Sequence, residues 1–112
     1  MVSIGSKKVL RDAFRGFMRI HVLHHAAKEP IYGLMIAELK RHGYAIGPGT
    51  LYPLLHSLEG ARLLRSSVKL VAGKRRRYYR TTQSGDTLLV KLRAQISELV
   101  REVVYEHEEP AK

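Results

Sequence analysis

Thr50-Leu51-Tyr52-Pro53-Leu54-Leu55-His56-Ser57-Leu58-Glu59, then Leu63-Leu64, then Gly73-Lys74-Arg75-Arg76-Arg77-Tyr78-Tyr79-Arg80: the segment from Thr50 to Arg80 decides the fold. Leu51, Leu54, Leu55 and Leu58 recur at i, i+3, i+4 and i+7, the core-facing stripe of an amphipathic helix. Thr50 is a credible N-cap, which puts Pro53 in the first turn where its missing N–H does no harm. A start nearer Pro48 would instead cost one bond at Pro53, and the sequence leaves both starts open. Residues 65–71 read as a strand carrying Val68, Leu70 and Val71. Ala72-Gly73-Lys74 reads as a turn, and Arg77 to Thr81 as the returning strand.

Working outward, Leu10, Phe14, Phe17, Met18 and Leu23 predict a first helix from Leu10 to about Ala27, behind a loose basic arm over residues 1–8. Pro30 closes it. A second helix is expected from about Tyr32 to His42, with Leu34, Ile36 and Leu39 as apolar contacts and Gly43 as C-cap. Beyond the hairpin, Thr82 caps a long last helix. Its residues Leu89, Leu92, Ile96, Leu99 and Val103 are spaced 3, 4, 3 and 4, a seam of barely two heptads. Leu88, Val100 and Val104 form a second stripe; one face can cover the chain's own domain and the other a partner chain, unless both fold back on a single subunit.

The order helix, helix, helix, strand, strand, helix is mainly α with a small β-hairpin: a winged helix-turn-helix plus a C-terminal dimerisation helix. We expect residues 1–81 to form the winged-helix unit, 82–107 the dimerisation helix and 108–112 a frayed tail.

The chain has 112 residues and a formal net charge of +10. Residues 1–82 carry 16 Lys and Arg against 4 Asp and Glu, whereas residues 83–112 carry 4 against 6. A single-sign cluster exceeds what solubility requires and suits a polyanion. The major groove, about 12 Å wide, admits one helix. There is no cysteine, hence no disulfide or thiolate site. No apolar run approaches the roughly 18 residues of a membrane span, and no signal-peptide stretch appears. The expectation is a cytoplasmic protein without membrane contact.

These residues resemble the PadR family of bacterial transcriptional regulators. The carriers are Tyr32-Gly33, Gly49-Thr50-Leu51-Tyr52-Pro53-Leu54-Leu55, Leu58-Glu59, Leu63-Leu64 and Tyr78-Tyr79-Arg80, and the likeness spans roughly residues 14–105. It implies a winged-helix DNA-binding domain and a homodimer in which the C-terminal helix packs on the N-terminal one. It also implies a repressor, often released by a small aromatic or drug-like effector. The chain departs from the pattern at Arg62, where the family usually has a helix-ending Gly. A reshaped helix end and an Arg62 recruited to phosphate are therefore expected. Arg75 and Arg76 make the wing unusually basic.

The expected DNA-binding residues are Tyr32, Thr50, Tyr52, Pro53, His56, Ser57, Arg62, Lys74, Arg75, Arg76, Arg77 and Tyr79. Thr50 and Tyr52 hydroxyls suit phosphate oxygens, although Tyr52 also fits a half-buried core position; His56 and Ser57 suit base edges. Strand alternation sets Arg75 and Arg77 opposite Lys74 and Arg76. The expected dimer contacts are Phe14, Phe17, Met18, Leu89, Leu92, Ile96, Leu99 and Val103. An effector pocket would draw on Phe17, His21 and Tyr105.

His21 and His25 stand at the zinc-compatible i, i+4 spacing, but the nearest carboxylate in sequence is Glu29 and no HExxH accompanies them. They read as packing or interface polarity, so neither metal nor cofactor is expected. No G-x-S-x-G elbow, P-loop or dinucleotide fingerprint supports an enzyme. The competing reading is a winged-helix module for protein or RNA, without specific DNA binding.

Overall fold

Helix α1 runs from Ile4 to Lys28, longer than its periodicity suggests. Ser3 starts it: the Ser6 amide donates to Ser3 Oγ at 3.1 Å. The expected loose arm is therefore helical from Ile4 onward. The computed structural model describes residues 3–106 except Leu34 and Ala45. Only the second half of α1 is sealed, through Met18, Val22, Leu23 and Ala26; Leu10, Phe14 and Phe17 stay exposed.

Helix α2 is short, Met35–Arg41, and stops at Gly43 with φ 91°, a left-handed conformation that suits glycine. Leu39 is buried beneath it. Leu34 lies outside the described residues, and of Ile36 only the backbone is described.

Helix α3 spans Pro48–Gly60, with Gly47 as N-cap and Pro48 in the first turn. Thr50 is thus a helical residue and not the cap. Proline's fixed φ favours the first helical position, and this outweighed the hydroxyl cap. The consequence is that Pro53 sits inside the helix and cannot donate to the Gly49 carbonyl. Leu51, Leu54, Leu55 and Leu58 are all buried, as their spacing predicts. At the far end the Leu63 amide donates to the Leu58 carbonyl at 3.0 Å and the Arg62 amide to Glu59 at 2.9 Å. This is the Schellman stop, and Arg62 occupies its left-handed position at φ 62°. The helix end is not reshaped; arginine adopts the glycine geometry.

Strands β1 (Leu64–Val71) and β2 (Lys74–Thr81) pair antiparallel, with Val71 opposite Lys74. Only Ala72 and Gly73 form the turn, both at positive φ, as a type I′ hairpin requires. Lys74 to Arg77 are accordingly strand residues and not a loop tip. Ile31 forms an isolated bridge on the other side of β2: Ile31 and Tyr79 exchange both backbone bonds at 2.7 and 2.8 Å. That bridge ties the start of the helix-turn-helix to the wing.

Helix α4 runs Gln83–Val100, capped by Thr82 Oγ1, which accepts from the Gly85 amide. A π-helical turn, Arg101–Tyr105, follows and interrupts the heptad geometry before Val103. His107 and the expected tail 108–112 lie outside the described residues. Gly85 is obligatory: a Cβ there would meet the Leu63 carbonyl oxygen at 2.2 Å. One core joins α1, α2, α3, the hairpin and Leu89. Each fully sealed leucine contributes about 2 kcal/mol of transfer free energy.

Candidate nucleic-acid interface

With its leucines turned inward, α3 exposes Thr50, Tyr52, Pro53, His56 and Ser57. Tyr52 is 41% exposed, so its ring is covered only in part. Its hydroxyl stands over Gly33, where a Cβ would come within 3.0 Å of it. Tyr32, Gly33, Tyr52, Arg75, Arg76 and Arg77 border one open groove of about 370 Å³. The helix and the wing therefore share a single cationic cleft.

Within it neighbouring arginines are held differently. The Arg77 guanidinium donates to Ser66 Oγ at 3.0 Å. Ser66 in turn donates through both its hydroxyl, at 2.5 Å, and its amide, at 3.0 Å, to Glu59 Oε2. Glu59 thus fastens α3 to the hairpin and orients Arg77. Arg76 lies on the other face, 5.1 Å over the Tyr32 ring, and Tyr32 packs on Tyr78 at 5.0 Å. Lys69 sits 5.5 Å over Tyr78. The alternation of Arg76 and Arg77 follows the strand period as expected.

Tyr79 is a correction. It is 2% exposed, its backbone is committed to Ile31, and it belongs to the core. Burial pushes its phenol pKa up, and the Glu59 carboxylate adds to that. The two-residue turn sets the register so that Tyr78, not Tyr79, faces outward. Arg62 is exposed but does not border the groove; it lies past the end of α3, which itself runs about 12 Å beyond Tyr52. Its carbonyl accepts from Thr82 Oγ1 at 2.6 Å. The sequence reading took Glu59 and Tyr78 only as carriers of the family pattern and gave Ser66 no role, because nothing local marks a carboxylate that bonds seven residues downstream.

The expected dimer residues divide. Phe14, Phe17, Leu99 and Val103 are exposed, and Leu92 and Ile96 half-buried. Met18 at 7% and Leu89 at 2% are corrections: the subunit's own core already covers them. Between α1 and the C-terminal helix lies an almost wholly apolar open groove of about 370 Å³, bordered by Phe17, His21, Tyr44, Ile96, Leu99 and Val103 among others. Two of the expected effector residues, Phe17 and His21, meet there. Tyr105 does not line it and remains exposed.

His21 Nδ1 lies 2.8 Å from the Tyr44 hydroxyl. Burial, then the nearby imidazoles of His42, His25 and His24, pull its pKa below the ordinary histidine value. His25 does not face Glu29. It faces Glu38 of α2, 3.7 Å away, a carboxylate that sequence distance had hidden. Among the described residues no helix is long and apolar enough to cross a membrane.

Residues 22–91 match the model of the transcriptional regulator PadR-like family. The chain is 46% identical over 96 residues to a transcriptional regulator of Mycobacterium tuberculosis, covering 85% of this chain and 90% of that one. Its fold is similar to a PadR family transcriptional regulator from Eggerthella lenta, with TM-score 0.75, 34% identity and 93% of each chain covered. It is also similar to a PadR-like transcription factor from Bacteroides fragilis, with TM-score 0.73 and 31% identity over 88% of this chain and 97% of that one.

Proposed function

Because this chain belongs to the PadR-like family of transcriptional regulators, we propose that it is a homodimeric repressor of an inverted-repeat operator. Each α3 enters a major groove, and half-sites lie about 10 bp apart or a multiple of that. The observation that carries the reading is the cleft that Tyr52 shares with Arg75, Arg76 and Arg77. A helix that fits one groove and an arginine-rich strand border the same cleft, with neighbouring guanidinium groups on alternate faces of that strand.

In this reading the Thr50 and Tyr52 hydroxyls donate to phosphates, Pro53 packs along the backbone, and His56 and Ser57 meet base edges. Lys74 to Arg77 follow the neighbouring phosphates or the minor groove, with Tyr32 supporting Arg76. Arg62 and Tyr79 take no part. Residues 1–81 carry DNA and 82–107 carry dimerisation, with α1 serving both.

The exposed apolar row of Phe14, Phe17, Leu99 and Val103 supports a second copy as its cover. The apolar groove beside Phe17 supports a small aromatic or drug-like effector. Such a guest releases DNA by favouring a subunit arrangement in which the two α3 helices miss their grooves. The protein works in the cytoplasm, on double-stranded DNA, without a membrane partner.

The test is footprinting on the promoters of its own and neighbouring genes, in excess nonspecific DNA. Sedimentation of the wild type and of Leu99→Glu runs alongside. The expected result is a two-fold symmetric footprint from a dimer, lost in a monomeric L99E. A wild type that is monomeric at micromolar concentration, or protection that random DNA abolishes, rejects the reading.

A further inference from the structure

His25, Glu38 and His42 come from the last turns of α1, the middle of α2 and the residue just past its end. Glu38 Oε1 lies 3.3 Å from His42 Nε2 and 3.7 Å from His25 Nε2. The ligating atoms of all three residues fall within 4.8 Å of one another. A zinc-class ion with bonds of about 2.0–2.1 Å to nitrogen and oxygen holds tetrahedral ligands about 3.4 Å apart. Two edges of that tetrahedron thus already have nearly the right length.

The surroundings fit as well. Arg41 Nη2 donates to the other oxygen, Glu38 Oε2, at 2.5 Å. That leaves Oε1 aimed at the two imidazoles, as an outer partner orients a monodentate ligand. The His21 ring stacks on His42 at 5.0 Å and 12°, which fixes the plane of the more exposed ligand. His24 packs against His25 at 5.1 Å. Two imidazoles thus face one carboxylate, and a further imidazole packs on each of them. When protonated they repel one another; when neutral they are the form that binds metal.

We propose that His25, Glu38 and His42 bind one divalent transition-metal ion of the zinc class, the remaining position being left to water. Two imidazoles and a carboxylate suit zinc, cobalt, nickel or copper over magnesium or calcium. The ion would staple α1 to the end of α2, and the chain runs from there through Gly43 and Tyr44 into α3. Occupancy would therefore bias how α3 is presented to DNA. That regulatory step rests on the proposed DNA-binding role; metal binding does not.

The test uses full-length protein stripped with EDTA. Cobalt chloride is followed by visible absorption and zinc chloride by calorimetry, for the wild type, Glu38→Gln, His42→Ala and the remote surface variant Glu98→Gln. The expected result is one ion per chain, zinc displacing cobalt. Glu38→Gln and His42→Ala should each weaken binding at least about 10- to 100-fold, since even outer-partner losses cost that much. Glu98→Gln should bind as wild type does. His42 is exposed, so its variant should keep its circular dichroism and its operator binding in EDTA. Absence of saturable binding, or variants that bind zinc like the wild type, overturns the site. Zinc should also change operator affinity roughly fivefold or more in the wild type and not in His42→Ala. Saturated zinc with unchanged operator affinity overturns the regulatory half alone.

Discussion

Replacing Arg62 by glycine should stabilise this fold, although glycine usually loosens a chain. Arg62 sits at φ 62° in the Schellman stop of α3. The left-handed conformation costs a residue with a Cβ about 1–2 kcal/mol. Glycine escapes that cost but loses roughly 0.5–1 kcal/mol more in ordering its backbone. Arg62 is exposed, so little burial is lost with its side chain. The net expectation for Arg62→Gly is a gain of about 0.5–1 kcal/mol, or roughly 3–6 °C in Tm for a chain of this size. Arg62→Ala keeps the strained Cβ and should move Tm little. Both are measured by thermal circular dichroism at one fixed protein concentration, because the proposed dimerisation would make Tm concentration-dependent. A Tm for Arg62→Gly at or below wild type, or an equal rise in Arg62→Ala, refutes the argument. The same pair examines the groove. Since Arg62 stands apart from it, the salt dependence of DNA affinity should not change; a slope lower by about 0.9 would return Arg62 to a phosphate.

Tyr52→Phe should weaken operator binding roughly three- to tenfold, the worth of one hydrogen bond, with Tm unchanged; equal affinity in a gel-shift titration would leave the hydroxyl only its packing over Gly33. Arg75→Ala with Arg76→Ala should lower the slope of log affinity against log salt by about 1.8, for operator and random DNA alike. An unaltered slope would show that these side chains remain in solvent. Gly85→Ala should cost about 3 kcal/mol in urea unfolding, because its Cβ would lie 2.2 Å from the rigid Leu63 carbonyl; a near-neutral result would mean that the start of α4 is free to shift.

Where the sequence was legible, the signal was periodic and local. The leucine stripe of α3 and the Thr82 cap read correctly because each depends on residues within one or two helical turns. The start of α3 stayed open in the sequence because two local signals competed, and in the fold Pro48 prevailed over Thr50. The first two turns of α1 were missed because they bury nothing, so no apolar period announces them. The phase of Tyr78 and Tyr79 turned on one residue: a turn of two residues, not three, reverses which tyrosine faces the core.

The groups that address the ligand were the least legible, for a related reason. Eight positive charges and no negative one between residues 62 and 80 locate the wing but say nothing of how it is held. The carboxylate that restrains its arginines, Glu59, comes from α3, on the surface proposed to face phosphate. A free carboxylate there would repel DNA. Bonded to Ser66 and through it to Arg77, it instead fixes one guanidinium before DNA arrives. Stacking on Tyr32 restrains Arg76 by a different contact. Ordering long side chains in advance lowers the entropy lost on binding, about 0.5–1.5 kcal/mol for each one immobilised. Glu59→Gln should therefore weaken DNA binding even though it removes a negative charge. Tighter binding by that variant would show that simple electrostatic repulsion outweighs the ordering of the wing.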